Sequence, residues 1–192
     1  MLSLVIVMLL SMTGCDSLIL SLNTSKAKKC VENFIEESDT DFIAALQKYS
    51  LEEITPAGMI DEQKELFDTY GICEFEIDSV ELDDEENMDH AVCKLNVNYK
   101  KFSKVIEDMP EAVLSDYARK LKKLKNSNET FKLKMSFNDG EWMFDDLTDL
   151  YETLCMPYEM TTILDENGTA LNPNAEYYGK KIVSSLWYDP IY

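Results

Sequence analysis

The chain has 192 residues, with 37 Asp and Glu against 18 Lys and Arg, and a formal net charge of −19. A surface of that sign repels nucleic acid and anionic lipid, which excludes both as broad-face partners. One histidine and no C-x-x-C pair leave zinc, thiol-redox and His-based nucleophilic chemistry without a motif to stand on.

The first charged side chain is Asp16. Before it, Leu4 to Leu10 is a continuous apolar run that is too short to span a bilayer and fits the core of a signal peptide. It ends in Met12-Thr13-Gly14-Cys15, small residues before a cysteine, which resembles a bacterial lipobox. Residues 1–14 are therefore read as a signal peptide cleaved between Gly14 and Cys15, with lipid carried on Cys15. Met12 stands where a lipobox usually has Leu, and no Lys or Arg precedes the run; an uncleaved anchor or a buried strand is the alternative. Residues 15–25 form a tether whose leucines could lie on the membrane surface or pack on the domain.

A helix is predicted over Lys26–Glu37 from Ala27, Val31, Phe34 and Ile35 at helical spacing. A second, Asp41–Tyr49, is capped by Asp39 or Thr40, and a third, Asp61–Thr69, is closed by Gly71. Cys73, Phe75 and Ile77 then alternate with acids, and a slip of phase before Val80 suggests a bulge near Ser79. After the acidic turn Asp83–Asp89, the row Ala91, Cys93, Leu95, Val97 and Tyr99 makes the return strand of a hairpin with one buried face.

Ser103–Lys125 reads as a helix split by Pro110, which is placed in the first turn of its second half. Val113, Leu114, Tyr117, Leu121 and Leu124 form its apolar stripe. A loop over Asn126–Asn128 leads to a hairpin of Phe131–Phe137 and Trp142–Phe144 around Asn138-Asp139-Gly140. A closing helix spans Asp146–Leu154. Thr161–Leu164 and Thr169–Leu171 read as a small hairpin, and Lys181–Tyr188 as a last strand or short helix. The expected organisation is a domain over residues 26–155 and an extension over residues 156–192, packed on the domain or binding a partner.

Helices followed by a curved antiparallel sheet define an α+β class, here a sheet wrapped around N-terminal helices with one helix inserted between hairpins. Val31-Glu32-Asn33-Phe34-Ile35 followed by Asp41-Phe42, the inserted helix Ser103–Lys125, and Asp139-Gly140-Glu141-Trp142 carry a resemblance. Over Ala27–Leu154, about two-thirds of the chain, the sequence resembles extracytoplasmic lipoproteins of Gram-positive bacteria with a nuclear transport factor 2-like, or cystatin-like, domain. The resemblance implies a cone with a pocket at its open end. Some relatives of that fold are isomerases and dehydratases, and others are binding or assembly modules.

For chemistry, His90 beside the acidic turn reads as a solvated loop residue. An isomerase-like site would need a buried carboxylate, and Asp116 and Asp145 are the candidates, though both also fit an exposed phase. The acidic turns at Asp83–Asp89 and Asp165–Gly168 lack the twelve-residue calcium-loop pattern, and charged turns explain them without a metal. Cys30, Cys73, Cys93 and Cys155 permit two disulfides in three connectivities, but each sits in an apolar phase that suits a buried thiol. Phe131, Met135, Trp142, Phe144 and Tyr99 suit either a core or a pocket.

Two stretches remain for partners. Arg119, Lys120, Lys122, Lys123 and Lys125 crowd a helix C-terminus, where cations complement the dipole or dock on phosphate-rich wall polymer or lipid headgroups. Trp187 and Tyr188, with Tyr177, Tyr178 and Tyr192, either cover a sheet edge or bind an envelope protein. The reading is a non-catalytic, lipid-anchored envelope module without a cofactor; the alternative is a small-molecule-binding or isomerase-like enzyme using the cone pocket.

Overall fold

The computed structural model of the protein describes residues 21–83 and 88–172. Gly14, Cys15, the tip of the acidic turn and the aromatic tail with Trp187 and Tyr188 lie outside the described residues, as does the Cys73 side chain. The architecture is α+β, with helices and an open four-stranded antiparallel sheet of order β1-β2-β4-β5. Two compact units are built from interleaved stretches.

In the first unit, α1 runs over residues 21–38 and buries Ala27, Cys30, Val31 and Phe34. The helix is already formed at Ser21, so the last five residues of the expected tether are helical. They carry no apolar stripe of their own, and helix propagation from the packed turns that follow accounts for them. α2 (Phe42–Tyr49) is capped by Asp41, whose Oδ1 accepts from Ala44 N–H at 3.0 Å; Asp39 and Thr40 do not serve as the cap. Phe34 is the hub. Its ring meets Phe144 at 5.3 Å, Tyr49 at 5.9 Å and Phe42 at 6.3 Å, two of them edge-on.

The sheet follows the alternation closely. On β2 (His90–Tyr99) every second residue from Ala91 to Tyr99 is buried. On β1 (Ile72–Leu82) Glu74, Glu76 and Asp78 are exposed, after which the exposed phase moves to Glu81. Lys100 N–H reaches Gly71 C=O at one end and Asp83 N–H reaches His90 C=O at the other. β1 thus takes twelve steps where β2 takes ten, and the single-residue change of phase between Ser79 and Val80 accounts for part of that extra length. β4 (Ser127–Asn138) and β5 (Glu141–Phe144) pair antiparallel with Asn138 beside Glu141. Asp139 (φ 50) and Gly140 (φ 93) make the two-residue turn, the left-handed pair that matches strand twist.

The residues that suited either a core or a pocket are core. Phe131, Met135, Trp142 and Phe144 are 0–8% exposed, and Cys30 Sγ donates to Trp142 C=O at 3.0 Å beneath them. Cys30, Cys93 and Cys155 are buried free thiols, and burial pushes the first two up to about 11 and about 12.

The second unit contains α3 (Asp61–Tyr70), α4 (Ser103–Asp108), β3 (Glu111–Val113), α5 (Leu114–Lys123), α6 (Thr148–Leu154), α7 (Met156–Glu159) and β6 (Thr162–Leu164). Pro110 is not in the first turn of a helix. It keeps Met109 out of the helical region (φ −148, ψ 80), and the next three residues form β3, which pairs in parallel with β6 through Ala112 and Ile163. The hairpin expected after Thr161 is reduced to one bridge, Leu164 with Ala170, while the other edge of β6 pairs with β3. Phe102 and Tyr158 (4.4 Å), with Tyr117 and Phe67 at 5.3 Å from one or the other, form the aromatic centre. Among the described residues, no helix is long and apolar enough to cross a membrane.

Gly71 closes α3 in a right-handed conformation (φ −62), so freedom of φ is not its purpose. A Cβ there would lie 2.7 Å from both the Phe67 ring and the Phe67 carbonyl oxygen, and the backbone oxygen cannot move aside. Gly71→Ala is expected to destabilise by about 1–3 kcal/mol in urea unfolding. An effect within 0.5 kcal/mol of zero would show instead that the helix end shifts freely.

Candidate functional site

The rotation of α5 is set from inside. Tyr117 and Leu121, four residues apart, are both fully buried, and the single proton of the Tyr117 hydroxyl is shared between Met109 C=O at 3.1 Å and Thr162 C=O at 3.3 Å. With that face held, Arg119, Lys120, Lys122 and Lys123 stand in solvent, and Lys125 follows them. Arg119 is tied back to Asp116 at 2.7 Å, an exposed pair within one turn. Lys120, Lys122, Lys123 and Lys125 have no ion pair among the described residues.

A further cation joins them from outside the helix. Lys100 Nζ donates to Leu124 C=O, one of the carbonyls left open at the end of α5. The basic run was legible as a run, but Lys100 was not, because only the packing brings it to the helix end. The segment Val97–Glu129 holds eight Lys and Arg against five Asp and Glu, in a chain that is otherwise strongly acidic. The local charge is the relevant one, since screening at physiological salt acts over about 8 Å.

The candidates for acid–base chemistry are placed elsewhere. Asp116 is spent on Arg119. Asp145 is half-buried after β5, and its backbone N–H donates to Lys134 C=O. His90 is exposed at the start of β2, with Nδ1 2.9 Å from Ser136 Oγ. Asp165 uses its carboxylate on its own turn, accepting from the N–H groups of Asn167 and Thr169 at 2.8 Å. Those amides, Thr169 first, hold its carboxyl below the usual range.

One buried carboxylate had no signal in the sequence. Glu159, in the four-residue helix α7, is 5% exposed. Its Oε2 accepts from Ala57 N–H at 3.1 Å and from the Tyr151 hydroxyl. Gln63 beneath it donates to Glu159 C=O and Thr161 C=O, each at 2.9 Å. Glu159 Oε1 is buried with no hydrogen-bond partner among the described residues. In the first unit, an open groove of about 590 Å³ between α1 and α2 is lined in part by Glu36, Glu37, Asp41 and Lys48. Lys48 crosses it to Glu37 at 2.6 Å, and Tyr49 OH donates to the same carboxylate. The described residues contain no cluster of His, Cys, Asp and Glu suited to a metal ion.

No protein-family model, curated protein or solved structure matches the chain.

Burial raises the phenols of Tyr99, Tyr117 and Tyr151, and the carboxylates of Glu129 and Glu159 add to the effect at Tyr99 and Tyr151. A raised phenol favours the neutral form, so its contribution to stability is complete below the ordinary value of 10 and declines as pH climbs beyond it. In an alkaline titration these tyrosines are expected to ionise together with loss of near-ultraviolet circular dichroism. Smooth ionisation of all ten tyrosines near pH 10 with that signal intact would contradict this.

Proposed function

We propose that the chain is a non-catalytic binding or assembly module of the bacterial cell envelope, anchored by lipid on Cys15 at the extracytoplasmic face of the membrane. Its domain is a cone of the nuclear transport factor 2-like, or cystatin-like, kind. The anchor rests on Met12-Thr13-Gly14-Cys15. The fold rests on the helix–hairpin–helix–hairpin order and on the Asp139-Gly140-Glu141-Trp142 turn.

The observation that carries the function is the exposed basic end of α5. A helix C-terminus gains only a few tenths to 1 kcal/mol from a nearby cation. Four lysines without an ion pair among the described residues, beside Lys100, exceed what capping needs. Their chemistry suits a phosphate-rich wall polymer or lipid headgroup close to the anchor. The filled sheet face of the first unit also favours this reading over an isomerase-like pocket, as does the spending of Asp116 on an ion pair. The enzymatic alternative would have to use Glu159 or Asp145, each of which has one buried carboxylate oxygen with no partner among the described residues, and the other oxygen of Glu159 already serves Ala57 and Tyr151.

The test compares the lipidated protein with Cys15→Ala and with Lys120→Glu/Lys122→Glu/Lys123→Glu, by cross-linking in intact cells and by binding to anionic vesicles. Each basic residue near such a surface contributes about 1 kcal/mol, so removing three lowers affinity roughly a hundredfold. Cys15→Ala is expected to release the protein from the membrane fraction. Unchanged binding by the triple variant would overturn the role of α5, and unchanged membrane retention of Cys15→Ala would overturn the anchor.

A further inference from the structure

We infer that the outer edge of β1 between Glu76 and Leu82 is a docking site for an extended protein segment that carries Lys or Arg at alternate positions and apolar residues between them. β1 is the outermost strand in the order β1-β2-β4-β5, and no strand pairs with its outer edge among the described residues. The opposite edge is treated differently. β5 is four residues long, and the chain's own backbone meets it: Leu51 N–H donates to Phe144 C=O at 2.8 Å and Glu52 N–H to Asp145 C=O at 3.0 Å. Among the described residues one edge is covered by backbone and the other is not.

The side chains define what fits there. Glu76, Asp78 and Glu81 are exposed on one face, with no ion pair among the described residues. On the other face Ile77, Val80 and Leu82 stay half-buried, whereas Ala91, Cys93 and Leu95 on neighbouring β2 are 0–1% exposed. One more strand would finish covering that apolar row. A strand alternates its side chains with period two, so an added segment sets one row beside the carboxylates and the other beside the apolar residues. Opposite charges side by side across strands stabilise the pairing and like charges oppose it. Cations therefore belong on the incoming outer row. A two-fold pairing of β1 with a second β1 would set acid beside acid, which excludes another copy of this chain as the occupant.

The edge belongs to the first unit and α5 to the second, so the two surfaces can be tested apart. The probe is a fluorescent peptide of alternating Lys and Val, added to the full chain and followed by anisotropy and by hydrogen exchange. One control has the same composition with its lysines contiguous, and another alternates Glu with Val. The alternating Lys peptide is expected to bind at least about tenfold tighter than the contiguous one and to slow exchange of the β1 amides. Glu76→Lys/Asp78→Lys/Glu81→Lys is expected to transfer the preference to the Glu peptide. Should that variant not fold, Glu76→Gln/Asp78→Asn/Glu81→Gln is expected to weaken the Lys peptide instead. The α5 triple variant binds as the parent does. Equal binding of the alternating and contiguous peptides, protection away from β1, self-association through this edge, or no binding would overturn the inference.

Discussion

A single row of side chains on β2 organises the sheet. Ala91, Cys93, Leu95, Val97 and Tyr99 are all 0–1% exposed, and a strand that buries every second residue leaves its neighbours no choice of face. β4 turns Phe131, Leu133 and Met135 the same way, and α1 lays Cys30 and Phe34 on the surface thus formed. A shift of one residue anywhere in β2 would exchange this row for Val92, Lys94, Asn96 and Asn98. Lysine and asparagine in that position would carry a desolvation cost no contact there could offset. Uniqueness of register follows from composition, with no special interaction required.

Charge is managed locally. The net −19 describes no one surface: acids line β1, while cations gather at the end of α5. Tyr117 and Leu121 turn α5 so that its basic residues face solvent, so a packing contact decides where charge appears. The same economy holds around Glu159. Its single carboxylate, with Gln63 below it, links residues 57, 63, 151 and 161, segments that share no secondary structure.

Elements whose partners are near in sequence were legible. The alternation of β2 survives unaltered, and Asp139-Gly140 identifies a turn that few other dipeptides tolerate, because both residues take positive φ. The slip near Ser79 was visible because a change of phase is written in the side chains themselves. What local pattern could not reveal depends on distant partners. β3 is three residues long beside a helical stripe, and only pairing with β6 makes it a strand. Asp39, Thr40 and Asp41 are all competent caps, and the chain path before Phe42 selects the last. Ser21 to Ser25 carry no periodic signal, yet are helical because the turns after them are packed. At the candidate site the lysine run was legible and its outward direction followed from Tyr117 and Leu121. Lys100 and Glu159 were not legible, since each acts on a residue far along the chain.

The parallel pairing of β3 with β6 also orders the folding of the chain in time. Glu111 and Thr162 are fifty-one positions apart, and α5, β4, β5, α6 and α7 must all be made before the second of them exists. The β4–β5 hairpin can close as soon as Phe144 has been synthesised, at the small loop entropy of a two-residue turn. The second unit has no such early start, and long-range parallel pairs are intrinsically slow to form. Until Leu164 arrives, the backbone groups of β3 and the aromatic surface around Phe102 have only part of their cover. In a chain made from its N-terminus, β3 therefore cannot be paired before Leu164 exists, whereas the β4–β5 hairpin is complete some twenty residues earlier.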